Sequence, residues 1–101
     1  MTTWTPKMVY ILTEEYIKGS GVFQSSIICA STDKQFCNEQ MKELIKADIY
    51  ELFKENGANQ LDNNTICSCN EDSEEYVTYQ IHEFELTSHG LILEKVHNRR
   101  K

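Results

Sequence analysis

A chain of 101 residues, 40% hydrophobic and 26% charged, has the length and composition of one folded domain, which excludes a wholly disordered acidic chain and a membrane-embedded one. Ten Lys and Arg against sixteen Asp and Glu give a net charge of −6, which argues against a general nucleic-acid binder, because that role needs a basic face to displace counterions from phosphate. The charge is regional: residues 1–54 hold six Lys against seven acids, 55–94 hold nine acids with no Lys or Arg, and 95–101 add four positive charges.

Residues 1–7 read as an extension before the domain, which is taken to run over 8–96. The run Met8 to Tyr16 is rich in β-branched and aromatic residues and predicts a strand, with Val9 and Ile11 on one face and Tyr10 and Leu12 on the other. Lys18-Gly19-Ser20-Gly21 is a turn signal, and Val22 to Ala30 predicts a second strand, antiparallel to the first. Ser31-Thr32-Asp33 stops that strand, and Thr32 with Gln35 fits a capping box at a helix start. Cys37, Met41, Leu44, Ile45, Ile49, Leu52 and Phe53 recur with the 3.6-residue period of one buried stripe. That stripe predicts one unbroken helix of roughly six turns, ended by Asn56-Gly57.

Residues 58–75 are polar and acidic, and read as an inserted loop with a short strand near Thr65–Cys69; a loop of that length in a small domain is either functional or mobile. Tyr76 to Leu86 is again strand-like. Val77, Tyr79 and Ile81 share one parity while Phe84 and Leu86 take the other, so a bulge is predicted at His82-Glu83. Thr87-Ser88-His89-Gly90 turns into a last strand, Leu91–Val96, and residues 97–101 form a basic tail. The sum is an α+β fold in β-β-α-β-β order, an antiparallel sheet of three to five strands with one long helix packed on one face.

The runs Val9-Tyr10-Ile11-Leu12-Thr13-Glu14-Glu15-Tyr16, Ile28-Cys29-Ala30-Ser31-Thr32-Asp33 and Tyr79-Gln80-Ile81-His82-Glu83-Phe84-Glu85-Leu86 resemble small uncharacterised single-domain proteins of bacteria, mobile elements and phages. The resemblance implies a ββαβ core beginning at Met8. It carries no activity to transfer, and the insertion at 58–75 and the basic tail depart from it.

No run approaches the roughly 20 apolar residues of a membrane span. The opening residues lack the pattern of a secretory signal. The four cysteines are therefore expected reduced, in the cytoplasm. Cys67-Ser68-Cys69 could supply half of a zinc site, completed by His82, His89, His97 or Cys29, although a buried reduced strand face is the plainer expectation. Cys29 and Cys37 read as core residues. His82-Glu83 does not continue into a zinc-protease motif, because position 86 is Leu86. Glu83 and Glu85 share one strand face, as an acid–base pair would, and ordinary solvated positions explain them as well.

The leading expectation is a non-enzymatic cytoplasmic interaction protein, of a kind carried by mobile elements, that binds a basic protein surface through the acidic 55–94 region. Glu71, Asp72, Glu74, Glu75, Glu83 and Glu85 are its candidate contacts. No cofactor, nucleic acid or membrane is expected as a partner. Open sheet edges make a homodimer an expectation. The alternatives are a small zinc protein using Cys67, Cys69 and His82, and a small enzyme whose pocket has no sequence signature.

Overall fold

The computed structural model describes residues 7–19, 21–69, 74–87 and 89–93; the expectations for 1–6, for Glu71 and Asp72, and for the basic tail lie outside the described residues. The elements in chain order are β1 (Lys7–Lys18), β2 (Gly21–Ser31), α1 (Lys34–Ala47), α2 (Leu52–Asn56), β3 (Asn59–Asp62), β4 (Thr65–Cys67), β5 (Glu75–Thr87) and β6 (Gly90–Leu93). The strands form one antiparallel sheet of six in the order β2-β1-β5-β4-β3, with β6 also paired to β5. β4 and β6 share the edge of β5 that β1 leaves free, β4 at Thr78–Gln80 and β6 at Phe84–Thr87.

The expected α+β architecture of three to five strands under one long helix is therefore corrected. Among the described residues the fold is predominantly sheet, with six strands and a main helix of only 14 residues. Two local causes account for the change.

The first is Asp48. It ends α1 in the left-handed conformation (φ 46°, ψ 54°), and Glu51 is also left-handed (φ 58°). Asp and Asn tolerate that region better than most residues, because their short polar side chains bond locally. Here the Asp48 carboxylate accepts from the backbone N–H groups of Phe53 (2.9 Å) and Lys54 (2.8 Å), satisfying donors that the start of α2 would leave bare. The break swings Ile49 out to 66% exposure yet still buries Leu52, so an apolar stripe at helical spacing survives without a continuous helix. The helix start also moves by one residue from the expected Thr32. Asp33 is the cap and accepts from the Gln35 N–H at 3.0 Å.

The second cause lies within 58–75. Asn63-Asn64 is a two-residue turn that folds β3 back on β4, and β4 then pairs with β5. The expected inserted loop is thus partly a hairpin that widens the sheet. β3, with the sequence Asn-Gln-Leu-Asp, has little intrinsic strand preference and forms because its neighbour supplies the hydrogen bonds.

The bulge expected at His82-Glu83 is absent. β5 pairs with β1 in unbroken register from Lys7↔Leu86 to Lys18↔Glu75. Irregularities sit instead in β2, where Ile28 and Phe23 are extra residues opposite Leu12/Thr13 and Tyr16/Ile17, and in β3, where Leu61 is extra between Gln60 and Asp62.

The main core is small and lies on one side of the sheet, while Thr65 and Cys67 of β4 are buried on the other, the face they share with Gln80 and Thr78. Leu12 of β1 and Val77, Tyr79 and Ile81 of β5 pack with Cys37 and Met41 of α1 and Leu52 of α2. None of the described helices is long and apolar enough to cross a membrane.

Candidate functional site

Among the described residues, the predicted acidic contacts Glu74, Glu75, Glu83 and Glu85 do not fall together at one place. Glu74 and Glu75 stand at the start of β5 while Glu83 and Glu85 lie toward its end. Ten residues of strand at about 3.3 Å per residue put Glu75 about 33 Å from Glu85. Two of the four are also engaged within the fold. Glu75 accepts from the Tyr16 hydroxyl, and Glu83 accepts from Lys34 Nζ and Asn64 Nδ2, both at 2.8 Å.

The predicted zinc set is dispersed as well. Cys67 and Cys69 are joined in a disulfide, and a disulfide sulfur has no thiolate to offer a metal. The bridge departs from the all-reduced cysteines expected of a cytoplasmic chain. Cys67 pairs with Thr78, four residues and about 13 Å along β5 from His82. The ring of His82 instead bonds Thr13, with Nε2 2.9 Å from Oγ1. Among the described residues no three His, Cys, Asp or Glu side chains converge as a metal site.

A polar cluster that sequence reasoning missed lies under α2. Glu14 is only 7% exposed, and its carboxylate accepts from the hydroxyls of Tyr79 (2.7 Å) and Tyr50 (3.5 Å). Tyr50 stacks on Tyr16 at 4.7 Å between ring centroids. Burial, and then the Glu14 hydrogen bond, push the Tyr79 hydroxyl well above the ordinary tyrosine range. Burial and the same carboxylate raise Tyr50, and the bond to Glu75 raises Tyr16. Burial also lifts the Cys37 thiol to about 11, followed by its contact with Cys29, whose sulfur lies 3.9 Å away. Each of these groups keeps its proton at neutral pH, so the cluster donates hydrogen bonds and presents no phenolate or thiolate. Its chemistry is to satisfy a buried carboxylate. The available signal was parity: Glu14 falls on the same strand face as Leu12.

The remaining candidate is the other side of the sheet. Cross-strand partners share a face, and the pairings Lys7↔Leu86, Val9↔Phe84, Ile11↔His82, Thr13↔Gln80, Glu15↔Thr78 and Ile17↔Tyr76 define it in β1 and β5. β2 adds Ala30, Ile27, Ser25 and Val22 opposite Ile11, Thr13, Glu15 and Ile17. In β1 and β5 every buried side chain belongs to the helix side and none to this one. Ile27 is 73% exposed and Val22 56%. Across the described residues of these three strands, Lys7 and Glu15 are the only acidic or basic side chains on the helix-free face apart from His82. The apolar character of this face was written in the sequence as Val9, Ile11, Phe84 and Leu86.

Comparison with protein-family models, with curated proteins and with solved structures returned no match.

Proposed function

We propose that the chain is a non-enzymatic protein-interaction module whose docking surface is the helix-free face of its sheet. One observation carries the reading. An antiparallel sheet that stands in water on one side normally alternates apolar residues inward with polar residues outward. Here the outward positions of β1 and β5 keep Val9, Ile11, Phe84 and Leu86 together at one end and Ile17 and Tyr76 at the other, with Thr13, Gln80, Glu15 and Thr78 between them and Lys7 and His82 beside the first group. The apolar group of Val9, Ile11, Phe84 and Leu86, extended by Ala30 and Ile27 of β2, is the kind of patch that another protein covers.

The titratable groups around the core support a structural role for that side of the molecule. The tyrosine hydroxyls among them are held as donors, and Glu14 is engaged as the acceptor of Tyr79 and Tyr50. The acidic stretch supports the same function in another way. Exposed Glu55 on α2 and exposed Glu74 before β5 carry negative charge that would favour a basic protein surface, as the sequence suggests.

A photo-crosslinking side chain placed at Ile27 tests this reading in the native host. The expected result is one discrete protein adduct from position 27 and none from the same probe at Lys42, an exposed residue on α1. Equal adducts from both positions, or none from position 27, would overturn it.

A further inference from the structure

We propose that the Cys67–Cys69 disulfide is a reversible thiol–disulfide exchange site, opened by a small thiol of the glutathione type that attacks the sulfur of Cys69. This chemistry goes beyond the docking surface and does not depend on it.

The first reason is that the bond has little to do as a staple. A disulfide stabilises a fold chiefly by restricting the unfolded chain, and the gain grows with the loop it closes. Cys67 and Cys69 are two residues apart, so the loop holds only Ser68 between them. In the reducing compartment that the sequence suggests, the disulfides that do occur are usually transient and serve catalysis or redox sensing.

The second reason is the asymmetry of the two cysteines. Cys67 is 1% exposed at the end of β4, paired with Asn59 on one side and Thr78 on the other. Cys69, beyond the strand, is half-buried. A thiolate from solvent therefore reaches the sulfur of Cys69 and not that of Cys67. A new S–S bond forms to Cys69 as the bond between the two cysteines breaks, and the Cys67 sulfur leaves with the bonding pair and takes up a proton. A second thiol then attacks the small-thiol sulfur of the mixed disulfide, and Cys69 leaves as a thiolate that is protonated in turn. In sum, one protein disulfide and two small thiols become two protein thiols and one small disulfide, a transfer of two electrons and two protons.

The third reason is what holds the residue between the cysteines. Ser68 is fully buried, and its ties are independent of the sulfurs. Its N–H donates to the Val77 carbonyl at 2.9 Å, its Oγ accepts from the Val77 N–H at 2.9 Å, and its own carbonyl accepts from Asn56 Nδ2 of α2 at 3.0 Å. Opening the bridge leaves these bonds in place and both cysteines on a fixed backbone. Their Cα atoms stand 5.4 Å apart, within the range a disulfide spans without backbone movement. The pair is thus set to close again.

Equilibration of the purified full chain in buffers of reduced and oxidised glutathione is the test. Acid quenching, alkylation and peptide mass mapping read Cys67 and Cys69 apart from the free Cys29 and Cys37. The expected result is a chain that passes from bridge to dithiol and back as the ratio changes, with its circular dichroism still that of the folded form. With Cys67→Ser, Cys69 should take up glutathione from oxidised glutathione about tenfold or more faster than Cys67 does with Cys69→Ser. Unfolding both variants in urea should erase that difference, which separates burial from intrinsic reactivity. A bridge that glutathione opens only in the urea-unfolded chain would overturn the proposal. So would a chain that holds two thiols at every ratio, or equal uptake by the two folded variants.

Discussion

The two faces of this sheet are built from the same strands, and their charges are distributed opposite to the usual rule. On the helix-covered face, β1 and β5 carry Glu14, Lys18, Glu75, Glu83 and Glu85 around a core of Leu12, Val77, Tyr79 and Ile81. On the helix-free face the same two strands carry only Lys7 and Glu15 besides His82. The covered side can hold its charges because partners are at hand, as Lys34 is for Glu83 and Tyr79 is for Glu14. The open side offers few such partners within its own chain and is almost stripped of charge. Burial by α1 explains the first face, and burial by another chain is the account offered for the second.

The largest expected difference between the faces comes from truncation. Ile81 is fully buried, so Ile81→Ala should lower unfolding free energy by about 2–4 kcal/mol. Ile11→Ala, across the sheet, should lower it by less than about 1 kcal/mol in dilute protein. Urea denaturation at low concentration reads both, and equal losses would erase the distinction between the faces.

Next comes the buried carboxylate. Tyr79→Phe removes the close donor to Glu14 and should destabilise the fold by about 1–3 kcal/mol, because a charge 7% exposed loses its best partner. A smaller loss, about 1 kcal/mol, is expected from Asp48→Ala, which strips two backbone N–H groups of their acceptor. Thermal unfolding monitored by circular dichroism measures both variants.

The smallest effect at neutral pH is protonic. Cys37 and Tyr79 hold their protons more tightly folded than unfolded, with Cys37 raised from 9.0 to about 11 and Tyr79 raised from 10.0. Their contribution is complete below pH 9, and it is lost as pH climbs through 9 to 11 and above. Denaturation midpoints should be level from pH 7 to 8.5 and fall beyond that range. Cys37→Ala lowers the whole curve and flattens its first decline.

Much of the local structure was legible in the residues. The β1–β2 hairpin, the helix start near Asp33 and the strand after Glu75 all follow from periodicity and turn chemistry. The helix break was hidden because Leu52 and Phe53 return to the apolar stripe after it, and the capping by Asp48 reaches five and six residues ahead. The β3–β4 hairpin was hidden because Asn-Gln-Leu-Asp becomes a strand only through its partner. The parity change between Ile81 and Phe84 was visible but pointed elsewhere. It marks a strand in unbroken register whose apolar residues pass from one face to the other after Ile81, where a bulge was the simpler expectation for a sheet with a single buried side. The apolar residues of the proposed docking face were therefore present in the sequence as an apparent conflict of pattern.

Hydroxyl-radical footprinting of the chain, purified and in a lysate of the native host, bears most directly on the claim that another protein covers the helix-free face. The expected result is faster labelling of Ile11 and Phe84 in the purified chain than in the lysate, relative to Phe36, which is 42% exposed on α1. Labelling of Ile11 and Phe84 in a constant ratio to Phe36 under both conditions would contradict the account.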